Sequence, residues 1–262
     1  SSGLKNVLKI IVGSFLCLCG TFGSVYAWSA TSSPETGKRT LTLTMMDIGG
    51  EQAAREASVA IAADEPLSWQ MYIPENYSAE RPAGLMVYIP PIMHGGIPPK
   101  WKEVMEETNL IWIAADQSGN EIPVARRSIF AIIAPQVAKR NYLIDDERVY
   151  LSGFSGGGKV ASMIAPGATR VFKGAIYIGG VEYFENYPHD PLESINQNYY
   201  VFLTGTEDFN ERLTRRVYGK YKQAGISNIK LMVIGRMGHT LPGVKQFTEA
   251  IQFLDSRRVI AD

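Results

Sequence analysis

Gly153-Phe154-Ser155-Gly156-Gly157 lies between two apolar runs, Arg148-Val149-Tyr150-Leu151 before it and Val160-Ala161-Ser162-Met163-Ile164-Ala165 after it. The first run reads as a buried strand and the second as the apolar start of a helix. Gly153, Ser155 and Gly157 spell G-x-S-x-G. A strand-to-helix turn that tight pushes its serine into an unfavourable backbone conformation. It also crowds the residues two before and two after the serine, so both need to be glycine. Such a turn aims a helix N-terminus and the Gly156 N–H at any oxygen beside Ser155 Oγ. The expectation is that Ser155 is a nucleophile. Two other readings compete. One is a glycine-rich turn with an incidental serine, since short motifs match by chance. The other is phosphate binding, because Gly153 to Lys159 also fits G-x-x-x-x-G-K. Against it, Val160 stands where a phosphate loop needs Ser or Thr for magnesium, and much of a domain precedes the motif.

The chain has 262 residues, of which 45% are hydrophobic, enough for one large domain with a substantial core. Lys plus Arg and Asp plus Glu are 26 each, and no basic stripe carries interleaved aromatics, which argues against a nucleic-acid partner. The two cysteines, Cys17 and Cys19, both fall in the N-terminal segment, so the folded part has no thiol, disulfide or cysteine metal site.

Residues 1–27 read as an export signal. Lys5 and Lys9 give a positive start, Ile10 to Val25 is largely apolar, and Val25-Tyr26-Ala27 resembles a small-x-Ala cleavage site. An uncleaved membrane anchor is the alternative, since the apolar run approaches the length needed to span a bilayer. Membrane contact is otherwise not expected. The expected location is periplasmic or secreted. Residues 28–39 are polar and turn-rich and read as a flexible linker. Residues 40–262 read as one domain. Thr40 to Met45 and Ser68 to Ile73 alternate as half-exposed strands do, and Gln52 to Ala63 is ambiguous. Leu85 to Ile89 and Leu110 to Ala115 are continuous apolar runs, as in strands covered on both faces. From there strands (Phe172 to Ile178, Tyr199 to Leu203, Lys230 to Ile234) alternate with helices (Ile122 to Arg140, interrupted by Pro135; Glu211 to Ala224; Val244 to Leu254). That order predicts an α/β fold, a mostly parallel central sheet flanked by helices.

Ligands of such sheets bind beyond the carboxyl ends of the strands. Ser155, Asp208 and His239 each follow a predicted strand, in the order Ser, acid, His that suits this architecture. The chemistry asks for these types. A serine hydroxyl is a poor nucleophile, an imidazole can take its proton and return it to the leaving group, and a carboxylate fixes the imidazole tautomer. Separately, Asp208 also reads as a helix N-cap and His239 as a loop histidine, and Glu207 is a rival acid. His189-Asp190 has no further ligands nearby in the sequence, so no metal is expected.

These residues resemble the α/β-hydrolase superfamily, and within it exported esterases similar to polyhydroxybutyrate depolymerases and feruloyl esterases. The resemblance covers Trp69 to Leu254. It rests on Tyr72-Ile73-Pro74-Glu75-Asn76-Tyr77, Gly153-Phe154-Ser155-Gly156-Gly157, Gly205-Thr206-Glu207-Asp208 and Gly238-His239. It implies an α/β-hydrolase fold without a large lid domain and a Ser155-His239-Asp208 triad. No cofactor is implied. The oxyanion would be held by the Gly156 N–H and one N–H from the loop after the central strand. Many members carry His-Gly-Gly directly there. Here Pro90-Pro91-Ile92-Met93 precedes His94-Gly95-Gly96. Proline has no N–H, so Ile92 is the earliest donor. His94 reads as structuring its own loop. Trp101, Gln117, Asn120, Tyr183, Phe184 and Tyr187 are candidates for the rim, with ordinary loop packing as the other reading.

The expected function is a serine hydrolase that cleaves a small-molecule or polymeric carboxylic ester through an acyl-enzyme. Two alternatives stay open: a catalytically silent binding protein, for which the displaced His-Gly-Gly is the best argument, and a serine peptidase on the same fold. Nothing in the sequence sets the oligomeric state.

Overall fold

The computed structural model describes residues 34–257. The export-signal or anchor reading of residues 1–27, and the linker reading of 28–33, lie outside them. The elements run β1 (Gly37–Leu43), α1 (Met45–Ala57), β2 (Leu67–Ile73), β3 (Ala83–Ile89), α2 (Trp101–Thr108), β4 (Leu110–Ala115), α3 (Val124–Lys139), β5 (Ile144–Phe154) and α4 (Gly156–Ile164). They continue with β6 (Gly174–Ile178), the single turn α5 (Leu192–Ile195), β7 (Tyr199–Gly205), α6 (Glu211–Gln223), β8 (Ile229–Ile234) and α7 (Val244–Asp255). Among the described residues eight strands form one sheet in the order β1-β2-β4-β3-β5-β6-β7-β8. From β4 to β8 every neighbouring pair is parallel, and β2 is antiparallel to both β1 and β4.

The apolar runs fold this way because both faces of the sheet are covered. Along β3, Leu85, Val87 and Ile89 face one core, which α1, α3, α4 and α6 complete. Met86 and Tyr88 face the other, closed by Trp101, Val104 and Met105 of α2 and Phe247, Ala250, Ile251 and Leu254 of α7. Successive strand side chains point to opposite faces, so a strand buried on both sides must be apolar throughout. A fully buried side chain of this size contributes roughly 1.5–3 kcal/mol over exposure. Packing of that kind keeps the strand ends, and the loops they carry, in fixed relation.

Some boundaries differ from the sequence reading. β1 begins at Gly37, inside the stretch read as linker. It ends at Leu43 because Thr44 caps a helix. Thr44 Oγ1 accepts the Asp47 N–H at 3.1 Å, and Asp47 Oδ2 accepts the Thr44 N–H at 2.9 Å. Met45 therefore opens α1 instead of closing a strand, and α1 kinks where Gly50 takes a φ of 69°. α3 runs through Pro135 unbroken.

Strand direction fixes where a site can lie. β3 to β8 all end on one side of the molecule. Gly37 pairs with Ile73, and Trp69 pairs with Ala115 at the end of β4, so β1 starts on the other side. α7 also finishes on that far side, where Asp255 Oδ1 accepts from Arg148 Nε at 2.9 Å and from Tyr150 Oη at 2.6 Å.

Candidate active site

β5 extends to Phe154 and α4 starts at Gly156, so Ser155 alone makes the turn. It sits at φ 57° and ψ −120°, a conformation that costs a non-glycine residue roughly 1–3 kcal/mol. The Ser155 N–H donates to Ile178 O at 2.8 Å, and Ser155 O accepts from the Lys159 N–H at 3.1 Å. The expected crowding is present. A Cβ at Gly153 would lie 2.3 Å from Gly157 O, and one at Gly157 would lie 1.9 Å from Ile89 O. A side chain at Gly153 would force the end of β5 from the start of α4, and one at Gly157 would force the start of α4 from the end of β3.

The loops after β7 and β8 bring the other two residues to the serine. His239 Nε2 lies 2.8 Å from Ser155 Oγ, and His239 Nδ1 lies 3.0 Å from Asp208 Oδ1. With its proton on Nδ1, the imidazole donates to the carboxylate and accepts from the hydroxyl. Asp208 is buried, and its Oδ1 also accepts the Asn210 N–H at 2.8 Å. Asp208 thus holds its own turn and orients the imidazole at once. The helix cap itself falls to Asn210. Asp208 Oδ2 is buried with no hydrogen-bond partner among the described residues. A carboxylate so thinly solvated interacts strongly with any positive charge that develops on the adjacent imidazole. Glu207, the rival acid, is exposed.

His239 contacts two aromatic rings. Phe154 is 4.8 Å away on one contact and Phe209 4.1 Å on the other. Phe209 is 76% exposed, and Ile92 and Met93 are 64% and 46% exposed. No sequence cue singled out Phe209. It follows Asp208 directly, and a large apolar residue beside a candidate acid was the available signal.

The loop after β3 is held from several sides. Arg127, buried in α3, donates through Nε to Ser118 O at 2.7 Å and through Nη2 to Pro90 O at 2.8 Å. Burial lowers its guanidinium pKa to about 10, which leaves it cationic at neutral pH. The Asn120 N–H donates to Pro91 O at 2.9 Å, and the Gln117 N–H to Met93 O at 2.6 Å. His-Gly-Gly lies farther along, against β4. The Gly95 N–H donates to Asp116 Oδ1 at 2.8 Å, and Trp112 Nε1 donates to Gly95 O at 3.1 Å. His94 Nδ1 accepts the Gly96 N–H at 3.0 Å, so its ring is committed to its own loop. Neither the Gly156 N–H nor the Ile92 N–H donates to any group among the described residues.

Of the rim candidates, Trp101 and Phe184 are core residues. Trp101 stacks on Phe247 at 4.1 Å and donates to Pro242 O at 3.1 Å. Phe184 is buried against Tyr221. Gln117 and Asn120 are exposed on the loop after β4, and Tyr183 and Tyr187 are half-buried. Among the described residues no group of three or more His, Cys, Asp or Glu is placed to hold a metal ion.

No protein-family model matches the chain, and no curated protein matches it in sequence. Solved structures resemble it. A ferulic acid esterase aligns over 86% of this chain and 99% of its own length, with TM-score 0.59 and 14% identity. A mutant of the feruloyl esterase module from Clostridium thermocellum, complexed with sinapinate, aligns over 85% and 90%, with TM-score 0.56 and 13% identity. Dipeptidyl peptidase 4 from Porphyromonas gingivalis aligns over 86% of this chain but only 36% of its own, with TM-score 0.57 and 15% identity. This chain thus spans about a third of the peptidase. At these identities the likeness is one of fold.

Proposed function

We propose that this chain, which has the α/β-hydrolase fold, is a serine hydrolase that cleaves carboxylic esters. The observation that carries the proposal is the unbroken relay from Ser155 Oγ through His239 to buried Asp208, at 2.8 Å and 3.0 Å. Ser155 Oγ bonds to the ester carbonyl carbon while its proton passes to His239 Nε2. Negative charge develops on the carbonyl oxygen, where the N–H groups of Gly156 and Ile92 stabilise it. Collapse of the adduct breaks the C–O bond to the alcohol, which leaves with the proton from His239. Water then attacks the acyl-enzyme by the same steps and frees the acid and Ser155. Asp208 keeps the proton on Nδ1 and stabilises the imidazolium. The chemistry calls on no metal or organic cofactor.

Exposed, apolar Ile92 and Met93 on the loop after β3, and Phe209 against His239, suit a substrate with an apolar or aromatic group next to the ester. The fold likeness to feruloyl esterases along nearly their whole length supports an ester over a peptide. A silent binding protein has no use for a serine held in a costly conformation and backed by an imidazole and a buried carboxylate. Export by residues 1–27 belongs to the same proposal.

Hydrolysis of p-nitrophenyl esters from acetate to long-chain acyl, by wild type and Ser155→Ala, tests it. The wild type should turn over at least one ester, and the variant should lose more than ~10⁴-fold in kcat. A folded wild type that cleaves no ester, or a variant as active as the wild type, would refute it.

A further inference from the structure

The turn at Ser155 demands glycine at 153 and 157, but not at the position after the serine. Gly156 needs a separate explanation, and Asn120 supplies one. A Cβ at Gly156 would lie 2.1 Å from Asn120 Oδ1, 2.8 Å from Cγ and 3.2 Å from Nδ2. The carboxamide therefore fills the space that a side chain at 156 would take. It lies against the residue whose N–H faces the proposed oxyanion.

Asn120 is fixed in that place by its backbone. Its N–H donates to Pro91 O at 2.9 Å. Gly119, just before it, packs so close that a Cβ there would be 2.8 Å from Ile92 C. Pro91 O and the Ile92 N–H belong to one peptide, and the described residues include no cis bond. In a trans peptide the two point to opposite edges. Holding Pro91 O therefore sets the direction of the Ile92 N–H. Asn120 thus touches both halves of the proposed oxyanion site, one through its backbone and the other through its side chain.

The side chain has no other employment. Asn198 and Asn210 donate their carboxamides to backbone carbonyls, at 3.0 Å and 2.8 Å. The carboxamide of Asn120 is exposed and has no partner among the described residues. Pro90 and Pro91 cannot donate, so this loop begins its run of N–H groups late.

We propose that the Asn120 Nδ2–H is a third donor to the substrate carbonyl oxygen, beside the N–H groups of Gly156 and Ile92. The proposal rests on the ester-hydrolase reading above. It makes Asn120 a catalytic residue, one whose bond strengthens as charge develops on that oxygen.

The test measures two rates in wild type, Asn120→Ala and Asn120→Asp: turnover of the best p-nitrophenyl ester, and phosphonylation of Ser155 by a fluorophosphonate. Both variants keep the backbone N–H that holds Pro91, so their melting temperatures should match the wild type. Asn120→Ala should lower kcat and the phosphonylation rate by ~10²-fold, the usual loss for one such donor, with KM within about threefold. Asn120→Asp keeps the shape but turns a carboxylate toward the oxyanion, and should be slower still. Variants within about threefold of wild type in both rates would overturn the proposal, as would a rise in KM at unchanged kcat. A wild type that neither labels nor hydrolyses would instead overturn the ester-hydrolase reading, and this proposal with it.

Discussion

Around Ser155 the backbone is held by close approach. Gly153 meets Gly157, Gly157 meets Ile89, and no side chain would fit between them. On the other side of the site, the segment from Pro90 to Gly96 is held by hydrogen bonds from afar. Arg127 reaches it from α3, and Gln117 and Asn120 reach it from the loop after β4. One side is fixed by excluded volume, whereas the other adds a clamp to the close approaches of Gly119 to Ile92 and of Gly95 to Ala114. The first kind of constraint writes itself into the sequence as obligatory glycines. The second leaves almost no mark, because the clamped groups are main-chain carbonyls that every residue has. The first kind also fails abruptly under substitution, whereas the second should fail by degrees.

Substitutions can break or sharpen this contrast. The largest effect after loss of Ser155 itself should come from Asp208→Asn. The amide oxygen can still accept the Asn210 N–H, so the turn should survive, but the imidazole loses its anionic partner. The expected loss in kcat is ~10³–10⁴-fold with the melting temperature little changed. A loss under about tenfold would mean that the carboxylate is not used.

Arg127→Lys tests the clamp. Lysine keeps the charge but has no fork to span Ser118 O and Pro90 O together. One buried carbonyl left without a donor should cost about 1–3 kcal/mol of stability, read as a fall in the denaturation midpoint. Loosening of the Ile92 peptide should lower kcat by up to ~10²-fold. If stability and kcat both hold, packing alone fixes the loop, and the two sides of the site are less different than their contacts suggest.

Phe209→Ala should have the smallest effect. The ring is exposed, so stability should change by under ~0.5 kcal/mol. Its contact with His239 predicts a fall in kcat/KM of roughly two- to tenfold, the worth of one aromatic contact. Phe209→Leu should recover part of this for an aliphatic ester and less for an aryl one.

The contrast also explains what could be read in advance. The convergence of Ser155, Asp208 and His239 was legible because each lies in the turn or loop that follows an apolar strand, and the sheet order carries those loops to one end. Gly156 was named as a donor from the serine turn, and Ile92 from the family resemblance together with the two prolines, while the partners that orient Ile92 were not found. Arg127 sits beside Arg126 near the start of α3 and bonds carbonyls 37 and 9 residues away, which no spacing pattern encodes. Trp101 was misread as a rim residue because its partner Pro242 is 141 positions distant, so its burial is a tertiary fact. The start of α1 was missed for a different reason. Thr44 and Asp47 form a recognisable capping pair, but the alternation of the preceding strand obscured it.

The direction of the outer strands has a practical consequence. Gly37 enters the sheet on the side away from Ser155, and Asp255 leaves α7 on that same side, bonded to Arg148 and Tyr150. A strand of seven residues spans roughly 20 Å, so both places are about that far from the mouth. A protein coupled to a bead or a sensor surface through either of these places would present Ser155 outward, open to bulky or insoluble material.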